Sequence, residues 1–296
     1  SGTYNNCVRY TSGRAYCWGL HAGNTAFSQG MLTASGGAYG HRGAPAQVLQ
    51  PAGTALEGVE QVVMGNNRAC VRLTGGVVRC WGYGVAMGAV SGLPAVTQLS
   101  ATETNFCALG EDRRVYCWDG QPRASSAPAL TAVTLSMGAV EVATGASFTC
   151  ARLADNTVQC WGTGTSGQLG NGASVSSTTP VTVRGLTDAA SLTAGQNFAC
   201  ARRTDGTVAC WGLNSDGQLG DNSVTNRNAP VAVAGLTSVT VVRAGLRHAC
   251  AVRVDGTLLC WGDNNQAQLG DNTTTDRRTP VAVMGPLKVI WAPLAA

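Results

Sequence analysis

Lysine is almost missing from this chain: Lys288 stands alone among 296 residues, and charged side chains make up only 12%. A net charge of +4, carried by scattered arginine, is too thin for a phosphate track. Arg113-Arg114, Arg202-Arg203 and Arg277-Arg278 fall in or beside turns at different repeat positions, so nucleic acid is excluded as the expected partner. No apolar run approaches the roughly 20 residues that cross a bilayer, and no amphipathic stretch reaches helical length. Neither a membrane span nor a helical architecture is expected. Histidine is limited to His21, His41 and His248, and no carboxylate or cysteine completes a metal set around the first two. No serine elbow, phosphate loop or paired-carboxylate motif stands out, so no metal, no cofactor and no catalytic residue are expected. A signal peptide is also missing at Ser1, and the numbering is expected to start after a removed leader.

What the chain does have is a Cys-x9-Cys-Trp tract, six times over. Cys7 pairs with Cys17, Cys70 with Cys80, Cys107 with Cys117, Cys150 with Cys160, Cys200 with Cys210 and Cys250 with Cys260, which uses all twelve cysteines and six of the seven tryptophans. In residues 198–212 two strand-like runs flank Thr204-Asp205-Gly206, a tight hairpin turn with glycine where a left-handed residue is wanted. Centring the hairpin on Asp205 sets Cys200 opposite Cys210, and facing Cα atoms roughly 4.5 to 5.5 Å apart lie within disulfide reach. Asp155-Asn156, Asp255-Gly256 and Gly75-Gly76 supply the same turn chemistry elsewhere. Zinc is the competing use of paired thiolates, but structural zinc sites place cysteines two to four residues apart on a knuckle. Six bridges are therefore expected, each adding on the order of 2 to 3 kcal/mol. They point to an oxidising compartment: extracellular, periplasmic or at the cell surface.

Pro180, Pro230 and Pro280 each lie twenty residues beyond a second cysteine, each taken to open a Pro-Val-x-Val strand, so the last three repeats have a period of fifty. Short strands and glycine-rich turns predict one four-stranded sheet per repeat. The expected fold is all-β, a single six-bladed β-propeller domain over residues 1–296, with seven blades or a solenoid as alternatives. Strands from the two ends of the chain are expected to share a blade and close the ring. Cysteine spacings of 63, 37, 43, 50 and 50, with 53 around the circle, account for the whole chain.

The run Cys-Ala-Arg-Arg-Thr-Asp-Gly-Thr-Val-Ala-Cys-Trp-Gly-Leu-Asn-Ser-Asp-Gly-Gln-Leu-Gly (200–220) resembles the repeat of the regulator of chromosome condensation family, with similar runs at 150–170 and 250–270. His248 matches a histidine often found at that place in the family. The resemblance covers essentially the full chain, strongly in the last three repeats and weakly in the first three, and it implies a propeller. The better-known members, a chromatin-bound exchange factor and a secreted bacterial β-lactamase inhibitor, are seven-bladed. Paired cysteines are not general among them and imply an extracellular bacterial branch.

Function is sought where the repeat departs from its own pattern. From second cysteine to repeat proline the regular repeats use twenty residues; repeat one uses 28 (to Pro45), repeat two 14 (to Pro94) and repeat three 11 (to Pro128). The Gly-Gln-Leu-Gly turn of 167–170 and 217–220 is lost in all three. All six tyrosines also fall within the first 116 residues, and tyrosine is enriched in binding surfaces. Tyr16 and Tyr116, each just before a cysteine, read as strand-filling residues. The expected function is non-catalytic recognition of another protein, such as an enzyme or cell-surface protein, by a monomer. Its contacts are expected at Phe27, Tyr39, His41, Arg42, Tyr83, Trp118 and Asp119. A glycan-binding propeller and an enzyme with a loop-built pocket are the alternatives.

Overall fold

A computed structural model of the protein describes residues 5–20, 41–50, 53–65, 68–82, 85–103, 105–120 and 130–284. The chain forms two compact units, Ser1–Ala146 and Ser147–Ala296. The described residues contain strands and turns and no helix, arranged as six antiparallel sheets in the order of the six cysteine pairs.

In the first unit, sheet one is β1 (Asn5–Arg9), β2 (Ala15–Leu20) and β3 (His41–Gln47). Sheet two runs β4 (Val59–Met64), β5 (Arg68–Leu73), β6 (Val78–Gly82) and β7 (Val85–Ala89). Sheet three runs β8 (Val96–Thr102), β9 (Asn105–Gly110), β10 (Val115–Trp118) and the two-residue β11 (Ala132–Val133), and β12 (Ala139–Thr144) follows. The second unit carries β13 (Phe148–Leu153), β14 (Val158–Gly162) and β15 (Ser177–Thr182) in one sheet. It also holds β16 (Ala189–Ala194) to β19 (Arg227–Ala232), with β17 (Phe198–Arg203) and β18 (Val208–Gly212) between them. The last sheet is β20 (Val239–Ala244), β21 (His248–Arg253), β22 (Leu258–Gly262) and β23 (Arg277–Ala282).

The central hairpin of every sheet has the expected register. Cys7 faces Cys17, Cys70 faces Cys80 and Cys107 faces Cys117 in the first unit. In the second, Cys150 faces Cys160, Cys200 faces Cys210 and Cys250 faces Cys260. All six pairs are disulfides, as expected, but their Cα atoms are only 4.0 to 4.1 Å apart. That corrects the separation of roughly 4.5 to 5.5 Å expected for facing residues. Arg203 N donates to Thr207 O, and alternation from that pair puts Cys200 and Cys210 at a non-hydrogen-bonded position, where strands approach most closely. The turn residue four before the second cysteine has φ between 61 and 82° in every sheet. It is Gly13, Gly76, Asn156, Gly206 and Gly256, all tolerant of the left-handed region, but Arg113 in sheet three. Its carbonyl accepts the first amide of the next sheet: Val59 N to Gly13 O at 2.8 Å, Ala139 N to Arg113 O at 2.8 Å, Val239 N to Gly206 O at 2.9 Å. One backbone conformation thus closes a hairpin and pins the following repeat.

Between neighbouring sheets lies the core. Cys200, Cys210 and Phe198 of one sheet pack with Val239, Val242, Ala251 and Trp261 of the next, and Cys70, Cys80 and Val78 pack likewise with Leu99, Phe106 and Trp118. Repeated tryptophans bind the preceding repeat specifically: Trp211 Nε1 donates to Gln168 O and Trp261 Nε1 to Gln218 O, each at 3.0 Å. Those acceptors belong to the Gly-Gln-Leu-Gly turns, whose last glycines leave no room for a side chain, since a Cβ on Gly170 would sit 2.8 Å from the Trp211 ring.

The proline reading needs correction. Pro180, Pro230 and Pro280 lie inside β15, β19 and β23, three residues after the first, next to the partner of the second cysteine (Val181 opposite Cys160, Val231 opposite Cys210, Val281 opposite Cys260). These are edge strands, where a missing amide donor costs no ladder bond. Pro45 occupies the same place, because Ala46 faces Cys17. In sheet two Gly88 faces Cys80, so Met87 holds the proline position and Pro94 belongs to the turn before β8. In sheet three Tyr116 faces Ala132, which moves the position to Leu130; Pro128 lies outside the described residues. The long, short, short order of the connections survives, but the second connection is shorter than the spacing to Pro94 implied. The expected ring closure involves residues 1–4 and 285–296, outside the described residues.

Candidate functional site

The break in the repeat centres on Asp119. In the other sheets the residue after the tryptophan is glycine: Gly82, Gly162, Gly212 and Gly262 have φ of 104 to 116°, and the ladder to the last strand shifts register there. A side chain on Gly162 would meet Ser147 O at 2.5 Å and Phe148 Cα at 2.7 Å. Gly162 pairs with Ser177, Gly212 with Arg227 and Gly262 with Arg277, so this glycine starts the last strand. Aspartate cannot take its place in that conformation. β10 ends at Trp118, one residue after Cys117, and β11 pairs only with Val115 and Tyr116.

Asp119 is instead engaged by Arg68, whose Nη1 donates to the Asp119 carbonyl and lies 4.0 Å from its carboxylate. Arg68 opens β5 two residues before its cysteine, where the second unit has Phe148, Phe198 and His248. Its side chain is only 17% exposed, so an arginine stem fills a place built for an aromatic ring while its head reaches the loop end of sheet three. Sequence reasoning missed Arg68. The available signal was its misfit at a position that is aromatic or imidazole in the last three repeats. His248 itself packs its ring over Gly245, and burial pushes its pKa down against the opposing pull of Asp263.

Trp118 does not face outward. It is 8% exposed, tilted against Phe106 at a centroid distance of 6.2 Å, and its Nε1 is buried with no hydrogen-bond partner among the described residues. The reason is local: the turn that would supply a carbonyl, as Gln168 does for Trp211, is replaced in repeat two by a two-residue connection between Gly82 and Val85. Of the expected contacts, Phe27, Tyr39 and Tyr83 lie outside the described residues. For His41 and Arg42 the structure gives the backbone, with His41 opposite Leu20 and Arg42 opposite Gly19 at the start of β3. That start and the Arg68, Trp118 and Asp119 group each lie at the loop end of their sheets, away from the hairpin turns.

At the hairpin-turn end of sheet three a cleft of about 620 Å³ opens between the 112–114 turn and residues 131–138. Asp112 is consumed within the turn, accepting from Tyr116 Oη at 2.6 Å and Arg114 N at 3.1 Å; the first bond, with burial, raises the Tyr116 pKa. No cluster of three or more metal-ligating side chains occurs among the described residues, and no helix is long and apolar enough to cross a membrane.

In repeats five and six the segment after the tryptophan is held by a buried asparagine. Asn214, with no exposed surface, points Nδ2 into a cradle of Asp221 Oδ1, Ser223 O, Ser223 Oγ and Thr225 O, all at 3.1 to 3.2 Å. Its Oδ1 accepts from Leu219 N at 3.0 Å. Asn264 repeats the arrangement with Asp271, Thr273 and Thr275. Thr273, Arg277 and Asn264 all donate to the Asp271 carboxylate and lower its pKa to about 2, against a smaller opposing effect of burial. Gly164 stands at the equivalent place in repeat four, so this latch belongs to repeats five and six.

Comparison with known proteins returns the same repeats. Two models of the regulator of chromosome condensation (RCC1) repeat match, one over 155–202, 205–252 and 255–293, the other over 139–168, 189–218 and 239–268, together more than half of the chain. Human WBSCR16 is similar in structure at a TM-score of 0.80 and 20% identity, over 96% of this chain and 81% of that one. Yeast RCC1 (Prp20), solved with Kap60 bound to it, gives 0.79 and 18% over 96% and 74%. The CRINKLY WD40 ectodomain of the Arabidopsis thaliana receptor kinase ACR4 gives 0.54 and 22% over 88% and 77%. No curated protein matches the chain by sequence. At these identities the structures bear on fold alone, and the six sheets are blades of an RCC1-like β-propeller. Taken with the matched repeats and the six hairpins in common register, this places the chain in the regulator of chromosome condensation (RCC1) repeat family.

Proposed function

We propose that this chain is a secreted, non-catalytic, monomeric binding module, a single propeller domain that recognises another protein through the loop end of blades one to three. The observation that carries the reading is the loss of the regular loop architecture at Trp118-Asp119. There the bulge glycine is replaced, the last strand shrinks to two residues, and a buried indole donor lacks, among the described residues, an acceptor of the kind that blades four and five give to the tryptophans of blades five and six. Phe27, Tyr39, His41, Arg42, Tyr83 and Asp119 form the contact set, with Trp118 and Arg68 supporting it from below. RCC1-like propellers commonly mediate protein binding. One solved structure of yeast Prp20 was reported with its binding properties to Gsp1p and histones, and such a role is consistent with the reading here. Six disulfides among the described residues favour an oxidising, extracellular setting. Sugar recognition by the repeated tryptophans is disfavoured, because Trp81, Trp211 and Trp261 are fully buried and offer no stacking face.

The test is affinity capture from extracellular and cell-envelope material. The intact protein is compared with a variant whose 21–43 loop is shortened to the length of blade five's, and with Asp119→Ala. A protein retained by the intact form and lost from both variants supports the reading. The same set retained by all three refutes it.

A further inference from the structure

Five of the six hairpin turns put glycine or asparagine at their left-handed position, and only blade three puts arginine there, Arg113 at φ 61°. The backbone conformation is fixed by the turn and by the Ala139 N to Arg113 O bond, so any residue here must adopt it. A long, charged side chain is the unfavourable choice for such a place. Its stem nevertheless has a prepared seat: a Cβ on Gly138 would lie 3.1 Å from Arg113 Cβ and 3.2 Å from its Cδ, so glycine at 138 is what lets the chain lie flat. Beyond that seat Arg113 lines the cleft of about 620 Å³. Its guanidinium makes no hydrogen bond or ion pair among the described residues, whereas Asp112 is occupied by Tyr116 and Arg114 N. Arg114 also lines the cleft, and the opposite wall sets Val133, Leu135 and a Met137 that is 45% exposed among Thr131 and Thr134.

We propose that this cleft is a docking site for a short acidic segment of a partner protein, its carboxylate taken by Arg113 and Arg114 and an adjoining apolar side chain by the Val133 to Met137 wall. Charge complementarity selects the occupant: the fork of the Arg113 guanidinium matches a carboxylate, Arg114 adds a second positive charge to the cleft lining, and the turn's nearest carboxylate is already engaged. The cleft lies at the hairpin-turn end of blade three, so it is separate from the loop-end surface and does not rest on that reading.

Arg113→Gly separates the binding role from a structural one, because the two predict opposite signs. Relief of the left-handed strain should raise Tm by about 2 °C, while loss of the guanidinium should weaken binding by about tenfold or more. The probe is a fluorescein-labelled hexapeptide of alternating glutamate and leucine, with serine in place of glutamate as control, read by fluorescence anisotropy. Saturable binding of the acidic peptide to the full chain, at least about tenfold weaker for Arg113→Gly and unaffected by shortening of the 21–43 loop, supports the proposal. No saturable binding, equal binding of the serine peptide, or undiminished binding by Arg113→Gly overturns it.

Discussion

Replacing Asn214 by alanine should cost about 3 kcal/mol. Its side chain has two N–H donors and one carbonyl, and all three are committed: the donors to four oxygens around Nδ2, the acceptor to Leu219 N. The lost partners are unequal. Ser223 is half-buried and Thr225 exposed, so water can replace the amide at their oxygens, while Leu219 is fully buried and its N–H would be stranded. Three net bonds at about 1 kcal/mol each, with a stranded amide at the upper end of the range, give the figure. For a chain of this length that corresponds to about 5 °C in Tm. Asn214→Asp sharpens the test, since it places a carboxylate among acceptors, 3.1 Å from Asp221 Oδ1 at the Nδ2 site. It should be worse than alanine at pH 7. Protonation lets the new group donate, so its folded pKa is raised and its penalty shrinks as pH falls. Guanidinium denaturation with the disulfides intact, at pH 7 and pH 4, reads both variants. An Asn214→Ala cost under about 1 kcal/mol, or an aspartate variant no worse than alanine at pH 7, would refute the cradle as a source of stability.

Two further outcomes follow from the same geometry. Trp211→Phe removes a buried bond to Gln168 O, while Trp118→Phe removes an indole donor that has no partner among the described residues, so the first should be more destabilising by about 1 kcal/mol; equal costs in paired denaturation curves would count against the lost-turn account. Asp271, with a pKa of about 2 against the usual 3.8, contributes stability that is complete above 3.8 and lost as pH falls from there towards 2. Thermal melts across pH 5 to 2 should fall more steeply for the intact protein than for Asp271→Asn, and parallel slopes would contradict it.

The parts of this fold legible in the sequence are those set by short-range geometry. Hairpin register followed from the Asp205 turn and a fixed offset of ten residues, because antiparallel pairing across a tight turn leaves one solution. The same offset placed Cys117 opposite Cys107 in the irregular third blade and Cys260 opposite Cys250 in the regular sixth, so the hairpin rule is indifferent to what happens in the loops. The proline at 180, 230 and 280 was recognisable as a repeat landmark but misplaced within its strand, since a β-edge tolerates proline at several positions and spacing alone does not choose among them. In blades two and three, where Met87 and Leu130 hold that position, the nearest proline was a false landmark. Packing of the repeated tryptophans between blades could be anticipated, but the polar contacts between repeats were not legible. Gln61 exchanges two hydrogen bonds with the Leu99 backbone, and Gln98 does the same with Val142, covering the exposed edge of the next first strand. Their partners lie 38 and 44 residues away, and nothing local marks those glutamines.

The site falls between these cases. Trp-Asp at 118–119 against Trp-Gly in the other five repeats is visible as text, and it drew attention to the residue pair. What text does not carry is the reason: a φ above 100° that only glycine holds comfortably, and through it the existence of the last strand. Asp119→Gly is the direct perturbation. If the glycine conformation starts the last strand, the substitution should lengthen β11 and lose the carboxylate contact with Arg68, seen as added amide-exchange protection at residues 119 and 130–133. Unchanged protection there would mean that the missing strand is set by the shortened connection and not by Asp119.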